Sequence, residues 1–174
     1  MTGDESKFGE VAVPHLADGF ALARWITGNN VDAEDVVQEA SLRAFRGIQG
    51  YAGGNARAWF LTIVRNTAYS WLRKNRPAEI ISIGDLETLE YRATEQSGGN
   101  DGSSLASPER IDFIELQSAI MSLPAAFRET LILRELHGLD YREIASVTAV
   151  PVGTVMSRLA RARRRLFDEL TRDE

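Results

Sequence analysis

No cysteine occurs among the 174 residues, and histidine stands only at His15 and His137. Disulfides and thiolate chemistry are thereby excluded, and a structural zinc site lacks its ordinary ligands. Long apolar runs are missing too. The most apolar stretch, Ala58 to Val64, is far short of the roughly 20 residues a membrane span needs. The opening Met1-Thr-Gly-Asp-Glu-Ser-Lys7 is polar and acidic, without the apolar centre of a signal peptide. A reducing, cytoplasmic setting with no direct membrane insertion is the expectation. Enzyme signatures are also lacking: no Gly-x-Ser-x-Gly elbow, no phosphate-binding glycine loop before a helix, and no His/Glu metal spacing. The sequence calls for no catalytic residue, no metal and no cofactor.

Positive charge is short as well, with 20 basic against 25 acidic residues and a net charge of −5. The deficit is local. Residues 1–77 carry +1, residues 78–108 carry −5 and residues 109–174 carry −1. Within the last third, Arg158, Arg161, Arg163, Arg164 and Arg165 crowd together, a basic patch that the average hides.

What is present is helical periodicity in two blocks. In the first, Leu16, Phe20, Ala23 and Ile26 share one face, and Gly28 ends the run. A second helix is expected with Asp32 as its cap, Asp35 at the third helical position and Val31 stapled to Val36. Its stripe is Val36, Val37, Ala40, Ala44 and Ile48. After the turn Tyr51-Ala-Gly-Gly-Asn55, Asn55 caps a third helix with Phe60, Ile63, Val64, Thr67 and Trp71 inward. Arg73, Lys74 and Arg76 load its end before Pro77 stops it. Trp59, Phe60 and Trp71 fall on or beside the stripe and belong to the core rather than to a ligand.

The second block follows the same grammar. Ser107-Pro108 reads as a helix start, and Phe113, Leu116, Ile120 and Leu123 share a face. Pro124 opens another helix with Phe127, Leu131 and Leu136 inward, ended by Gly138. Asp140 caps a short helix, Glu143 completes a capping box and Leu139 is placed to staple to Ile144. That helix stops near Thr148. After Pro151 a longer helix carries Val155, Leu159, Ala162 and Leu166 on one stripe. No hairpin and no internal repeat is evident. The expected fold is all-α: an N-terminal helical domain over 1–77, a flexible acidic linker over 78–108, and a C-terminal helix-turn-helix domain over 109–174. The linker is rich in Gly, Ser and Asn from Ser97 to Ser104, with Ile80-Ile81-Ser-Ile83 as a possible docked piece.

A short capped helix, a tight turn and a longer helix with an arginine-rich outer face make a helix-turn-helix. The start of the last helix offers unpaired amides and a positive dipole end. Val152, Thr154, Met156 and Ser157 lie there, short enough for base edges in a major groove. Arg158, Arg161, Arg164 and Arg165 follow on the outer side, where they can neutralise phosphates. Seen alone, an arginine-rich helix is as often a solvated face. The capped helix and the Pro-Val-Gly-Thr-Val turn tilt the reading toward DNA.

Leu139-Asp-Tyr-Arg-Glu-Ile-Ala145 with Pro151-Val-Gly-Thr-Val-Met-Ser-Arg-Leu-Ala-Arg-Ala-Arg163 resembles the fourth region of extracytoplasmic-function sigma factors. Leu123-Pro-Ala-Ala-Phe-Arg128 is similar to the opening of that domain. Asp32-Ala-Glu-Asp-Val-Val-Gln-Glu-Ala-Ser-Leu-Arg-Ala-Phe-Arg46 and Trp59-Phe-Leu-Thr-Ile-Val-Arg-Asn-Thr-Ala68 resemble the second region. Two separate motifs in the right order make the likeness specific. It implies promoter recognition for bacterial RNA polymerase, with an isolated helix-turn-helix regulator as the alternative.

The resemblance also assigns residues. Asp35, Gln38 and Glu39 match the surface that docks on the clamp helices of the polymerase beta-prime subunit, and the beta subunit is a further implied partner. Tyr51, Gly53, Gly54, Asn55 and Asn66 match positions that capture a flipped base of the −10 element, with Arg65, Arg73 and Lys74 on the same helix. The HTH residues just named match the −35 reader. An anti-sigma factor is implied as a regulator. The chain departs from the family pattern at Ser70, where Asp is frequent, and at Ala149, where Gly is frequent. Alanine at Ala149 is costly if that turn needs a left-handed backbone. A linker of about 29 residues extends to roughly 95 Å at most, enough for DNA sites two helical turns, about 70 Å, apart.

Overall fold

The computed structural model describes residues 3–78 and 112–172, all helices and turns with no strand among them. The linker, its Ile80–Ile83 piece and the Ser107-Pro108 start lie outside the described residues. In chain order the α-helices are α1 (Gly3–Val11), α2 (Leu16–Thr27), α3 (Asn30–Gly47), α4 (Ala56–Asn75), α5 (Phe113–Ser122), α6 (Ala125–Glu135), α7 (Tyr141–Thr148) and α8 (Val152–Leu170). Helix α1 falls where only a polar start was read. It has no buried residue, and Phe8 meets Phe45 of α3 edge-on at 5.6 Å.

Helices α2, α3 and α4 pack on one another around Leu22, Ile26, Val36, Ala40, Phe60, Leu61, Val64 and Leu72, all buried. Burying each large apolar side chain contributes about 1.5–3 kcal/mol. Gly19 permits the close crossing of α2 and α4, since a Cβ there would sit 2.8 Å from the Phe60 ring. Gly28 ends α2 with φ +90°, its N–H donating to the Arg24 carbonyl at 2.8 Å. That left-handed turn suits glycine.

The start of α3 differs from expectation. Asn29, not Asp32, is the cap, and its side chain accepts from the Asp32 N–H at 2.9 Å. The helix begins at Asn30, which puts Asp35 well past the third position, and Val31 is 70% exposed instead of stapled. Asp32 serves tertiary structure: Arg76 donates to its carboxylate at 2.5 Å and to the Thr27 carbonyl at 2.8 Å. The end of α4 is thereby tied to the α2–α3 turn.

The second domain buries Leu131, Ile132, Leu133, Ile144, Val147, Val155, Leu159 and Ala162 among α6, α7 and α8. Every residue of α6 from Ala125 to Leu133 is buried, including Arg128, Glu129 and Thr130. A helix buried all round lies between two layers. Here the layers are α8 of its own domain and α2 of the first domain, and α7 packs likewise on α4. Two of the expected apolar positions in this half are not buried. Leu136 is 60% exposed, because α6 ends at Glu135, and Phe113 is 75% exposed at the start of α5.

Candidate nucleic-acid interface

The capping box that opens α7 is complete: the Glu143 N–H donates to the Asp140 carboxylate, and the Asp140 N–H donates to that of Glu143, both at 2.8 Å. Leu139 and Ile144 are both buried beside it. Ala149 ends α7 with φ 57° and ψ 39°, the left-handed conformation that glycine adopts without cost. Pro151 then sets the start of α8, where Val152 is 38% and Met156 54% exposed. Thr154 is partly exposed, and Ser157 Oγ donates to the Thr154 carbonyl at 3.0 Å. Val155, Leu159 and Ala162 face inward, so the opposite side of α8 is turned to solvent.

The arginines of α8 do not all share that outer side. Arg164 is exposed and Arg161 partly so, whereas Arg165 lays its guanidinium over the Phe127 ring at 5.6 Å. Arg163 pairs with Glu135 at 2.8 Å. Arg158 departs from expectation: its side chain is 11% exposed and lies 3.9 Å from the buried Glu129. The reason is helical phase, since position 158 adjoins Leu159 on the face packed against α6.

The loop before α4 is built on two left-handed glycines, Gly53 (φ +97°) and Gly54 (φ +95°), with open space around both. Tyr51 Oη donates to the Gly54 carbonyl at 2.7 Å, and its ring lies 5.2 Å from that of Trp59. Lys7 of α1 donates to the Tyr51 carbonyl at 3.1 Å. Asn55 caps α4 through the Ala58 N–H at 3.0 Å. Asn66, Arg73 and Lys74 are exposed along α4. Trp59 and Trp71 are partly buried against the core and Phe60 is fully buried.

Two residues of this set are engaged by the other domain. Asn55 Nδ2 donates to Glu143 Oε1 at 2.5 Å. Arg65 donates to both oxygens of Glu129 at 3.0 Å, a bidentate pair, and its guanidinium lies 4.4 Å from the Tyr69 ring centre. Glu129 is fully buried; burial pushes its pKa up, while Arg65 and Arg158 pull it down without cancelling the rise. Burial and then the Glu129 charge push the Tyr69 phenol well above its ordinary range. Beside them Arg57 bridges the domains, donating to Asp18 at 2.7 Å and to the His137 carbonyl at 2.5 Å. Burial lowers the His137 pKa, Asp18 opposes that, and Arg57 adds to it.

On α3, Asp35 and Gln38 are exposed, and Glu39 pairs with Arg43 at 2.8 Å with both side chains 46% exposed. Asp35 and Gln38, but not Glu39, border a shallow groove of about 720 Å³ between α1, α2 and α3, floored by Phe8, Phe20, Leu42 and Phe45. Polar rim and apolar floor together suit a partner helix.

Residues 14–78 match the family described as sigma-70 region 2, and residues 113–166 match sigma-70, region 4. The ECF RNA polymerase sigma-E factor of Escherichia coli strain K12 is 34% identical over 92% of this chain and 85% of its own length. The chain belongs to the ECF RNA polymerase sigma factors. The ECF RNA polymerase sigma factor SigE of Mycolicibacterium smegmatis is 31% identical over 98% of this chain, which spans 65% of that relative's length. Among solved structures, the sigma factor RpoE of Bartonella quintana in complex with the anti-sigma factor NepR aligns over 96% of this chain and 98% of its own, with TM-score 0.68 and 27% identity. CnrH in complex with the cytosolic domain of CnrY shares the fold, with TM-score 0.65 over 99% of this chain and 92% of its own at 23% identity.

As a member of that family the chain acts in promoter-specific transcription initiation by RNA polymerase. No helix among the described residues is long and apolar enough to cross a membrane. Sequence reasoning missed Glu129 altogether. The signal that could have found it is a carboxylate inside Ala125–Leu133, flanked by Ala126, Phe127, Leu131 and Ile132 on every side of the helix. Such a charge needs partners from elsewhere.

Proposed function

We propose that the outer face of α8 reads the −35 element, with Val152, Thr154, Met156 and Ser157 at base edges and Arg161 and Arg164 at phosphates. The loop Tyr51–Asn55, with Arg65, Asn66, Arg73 and Lys74 of α4, holds the −10 element, one base being drawn from the stack. Asp35, Gln38 and Glu39 dock the N-terminal domain, residues 1–77, on the beta-prime clamp helices. The C-terminal domain, residues 109–174, meets the beta subunit, and the acidic segment 78–108 spans between them. The protein works in the cytoplasm and is held in reserve by an anti-sigma factor, as RpoE of Bartonella quintana is bound by NepR.

The observation that carries this reading is the left-handed turn at Ala149, which directs α8 so that its apolar stripe is buried while its N-terminal turn stays open. Run-off transcription with core polymerase on a genomic template library tests it. The full chain is expected to yield discrete transcripts that core polymerase alone does not make. Correctly folded protein that stimulates none overturns the reading, and specific binding to duplex DNA without polymerase supports an isolated regulator instead.

A further inference from the structure

We propose, resting on the reading that Tyr51–Asn55 holds the −10 element, that α1 sets the shape of that loop and that Lys7 is the positioning residue at its entry. Helix α1 buries none of its nine residues, so it adds little to the core. Its contacts instead converge on one place. Lys7 donates to the Tyr51 carbonyl at 3.1 Å, 44 positions along the chain. Gln49, in the turn Ile48–Gly50, donates to the Asp4 carboxylate. Phe8 lies edge-on to Phe45 in the last turns of α3. All three partners fall within residues 45–51, the stretch that carries the chain from α3 into the loop.

That stretch needs an anchor. Gly53 and Gly54 both take positive φ with open space about them, so packing does little to fix the loop backbone. Tyr51 Oη closes the loop on the Gly54 carbonyl at 2.7 Å, and Asn55 fixes its exit through the Ala58 N–H at 3.0 Å. Both of those ties lie within the loop and the first turn of α4. Lys7 holds the entry from a separate element, and a charged donor makes a stronger bond than a neutral one. Tyr51 is thereby held twice, by its carbonyl and by its hydroxyl, with its ring 5.2 Å from that of Trp59. A loop already in its bound shape loses less freedom when it captures a base. Without Lys7 the entry swings free, and the loop holds any one base more weakly and with less choice among bases.

The test uses the full chain with core polymerase, on the promoter that gives the strongest run-off transcript from the genomic library. Lys7→Met keeps a stem of similar length and removes the donor, whereas Lys7→Arg keeps both charge and donor. Strand opening is followed with 2-aminopurine placed in the −10 element. Lys7→Met is expected to slow opening about tenfold, the size of one hydrogen bond from a charged group, and to discriminate less among templates with single −10 base changes. Its melting temperature and its affinity for core polymerase should match the wild type, because α1 buries no side chain. Lys7→Arg should restore both opening and discrimination. A melting temperature and core affinity that fall in step with the opening rate make Lys7 merely structural and overturn the proposal. Should Lys7→Met unfold the domain, seen as lost helical circular dichroism, Asp4→Ala releases the second tie and takes its place with the same expectations. Asn66→Ala, at an exposed position on α4, separates the two readings. Altered opening in Asn66→Ala with wild-type behaviour in Lys7→Met sinks the role of α1 alone, and wild-type behaviour in both sinks the −10 reading with it.

Discussion

Arg65 on α4 and Glu129 on α6 stand 64 positions apart and form a two-point ion pair, with both hydrogen bonds at 3.0 Å and the carboxylate fully buried. The pair joins the two domains, and it fixes how the neighbouring arginine on α8 behaves. Arg158, 3.9 Å from the same carboxylate and largely buried, is a structural residue.

That placement sharpens the expected division of labour along α8. Replacing Arg161 or Arg164 with alanine should weaken −35 binding about equally on all sequences and lower the salt slope by about one unit. Replacing Thr154 or Ser157 should change the preferred base, at about 1–3 kcal/mol for the original site. Arg158→Ala should instead lower the urea midpoint, since the buried Glu129 loses the second of its two neighbouring cations and α8 loses a side chain packed against α6. Salt-titrated binding and urea unfolding check the three classes. Arginine variants that alter base preference would mean that α8 docks the other way round.

Gln38→Ala with Glu39→Ala should reduce affinity for core polymerase while leaving thermal stability nearly unchanged. Gln38 is exposed, and the Glu39–Arg43 pair on the helix surface is worth only about 0.3–0.5 kcal/mol. Fluorescence anisotropy with labelled chain measures the first effect and calorimetry the second. Unchanged affinity would remove α3 from the docking surface.

Ala149→Gly should stabilise the protein. A left-handed alanine costs roughly 1–2 kcal/mol, and the added freedom of glycine in the unfolded chain takes back part of it. A net gain of about 0.5–1 kcal/mol in urea unfolding is expected, with −35 binding retained. A loss of stability would show that the alanine methyl makes contacts that outweigh the strain.

Mild acid should loosen the contact between the two domains at His137. Its pKa is lowered in the folded protein, chiefly by burial, so the folded state binds fewer protons than the unfolded chain as pH falls through the histidine range. Stability therefore rises with pH across that range and is lost below it. The melting temperature should drop between about pH 7 and about pH 5.5, and His137→Gln should flatten that slope. Asp18 favours the charged ring and Arg57 opposes it, so Asp18→Asn should steepen the loss. An identical slope in wild type and His137→Gln would place the acid sensitivity elsewhere.

Much of this was legible beforehand because it depends on neighbours in sequence. Helix periods, the Asn55 cap, the Asp140–Glu143 box and the Leu139–Ile144 staple all act within one or two turns, where spacing decides geometry. Even the cost at Ala149 could be anticipated, since an alanine stands where the helix-ending turn demands positive φ. At the start of α3 spacing pointed to Asp32 as the cap, but Asn29 holds that place. The Asp32 carboxylate is instead held by Arg76, 44 positions away, a contact that no local pattern shows.

By itself, then, the sequence determined an all-helical pair of domains, the helix-turn-helix and the sigma-factor family, since each is written in local patterns of side chains. Only the tertiary structure decided that α6 is buried on both sides, that Arg158 turns inward, and that Asn55 and Arg65 are held by Glu143 and Glu129. Those facts join residues 29 to 88 positions apart. Such pairings are set by how one packed layer meets another, and no periodicity along a single helix encodes them.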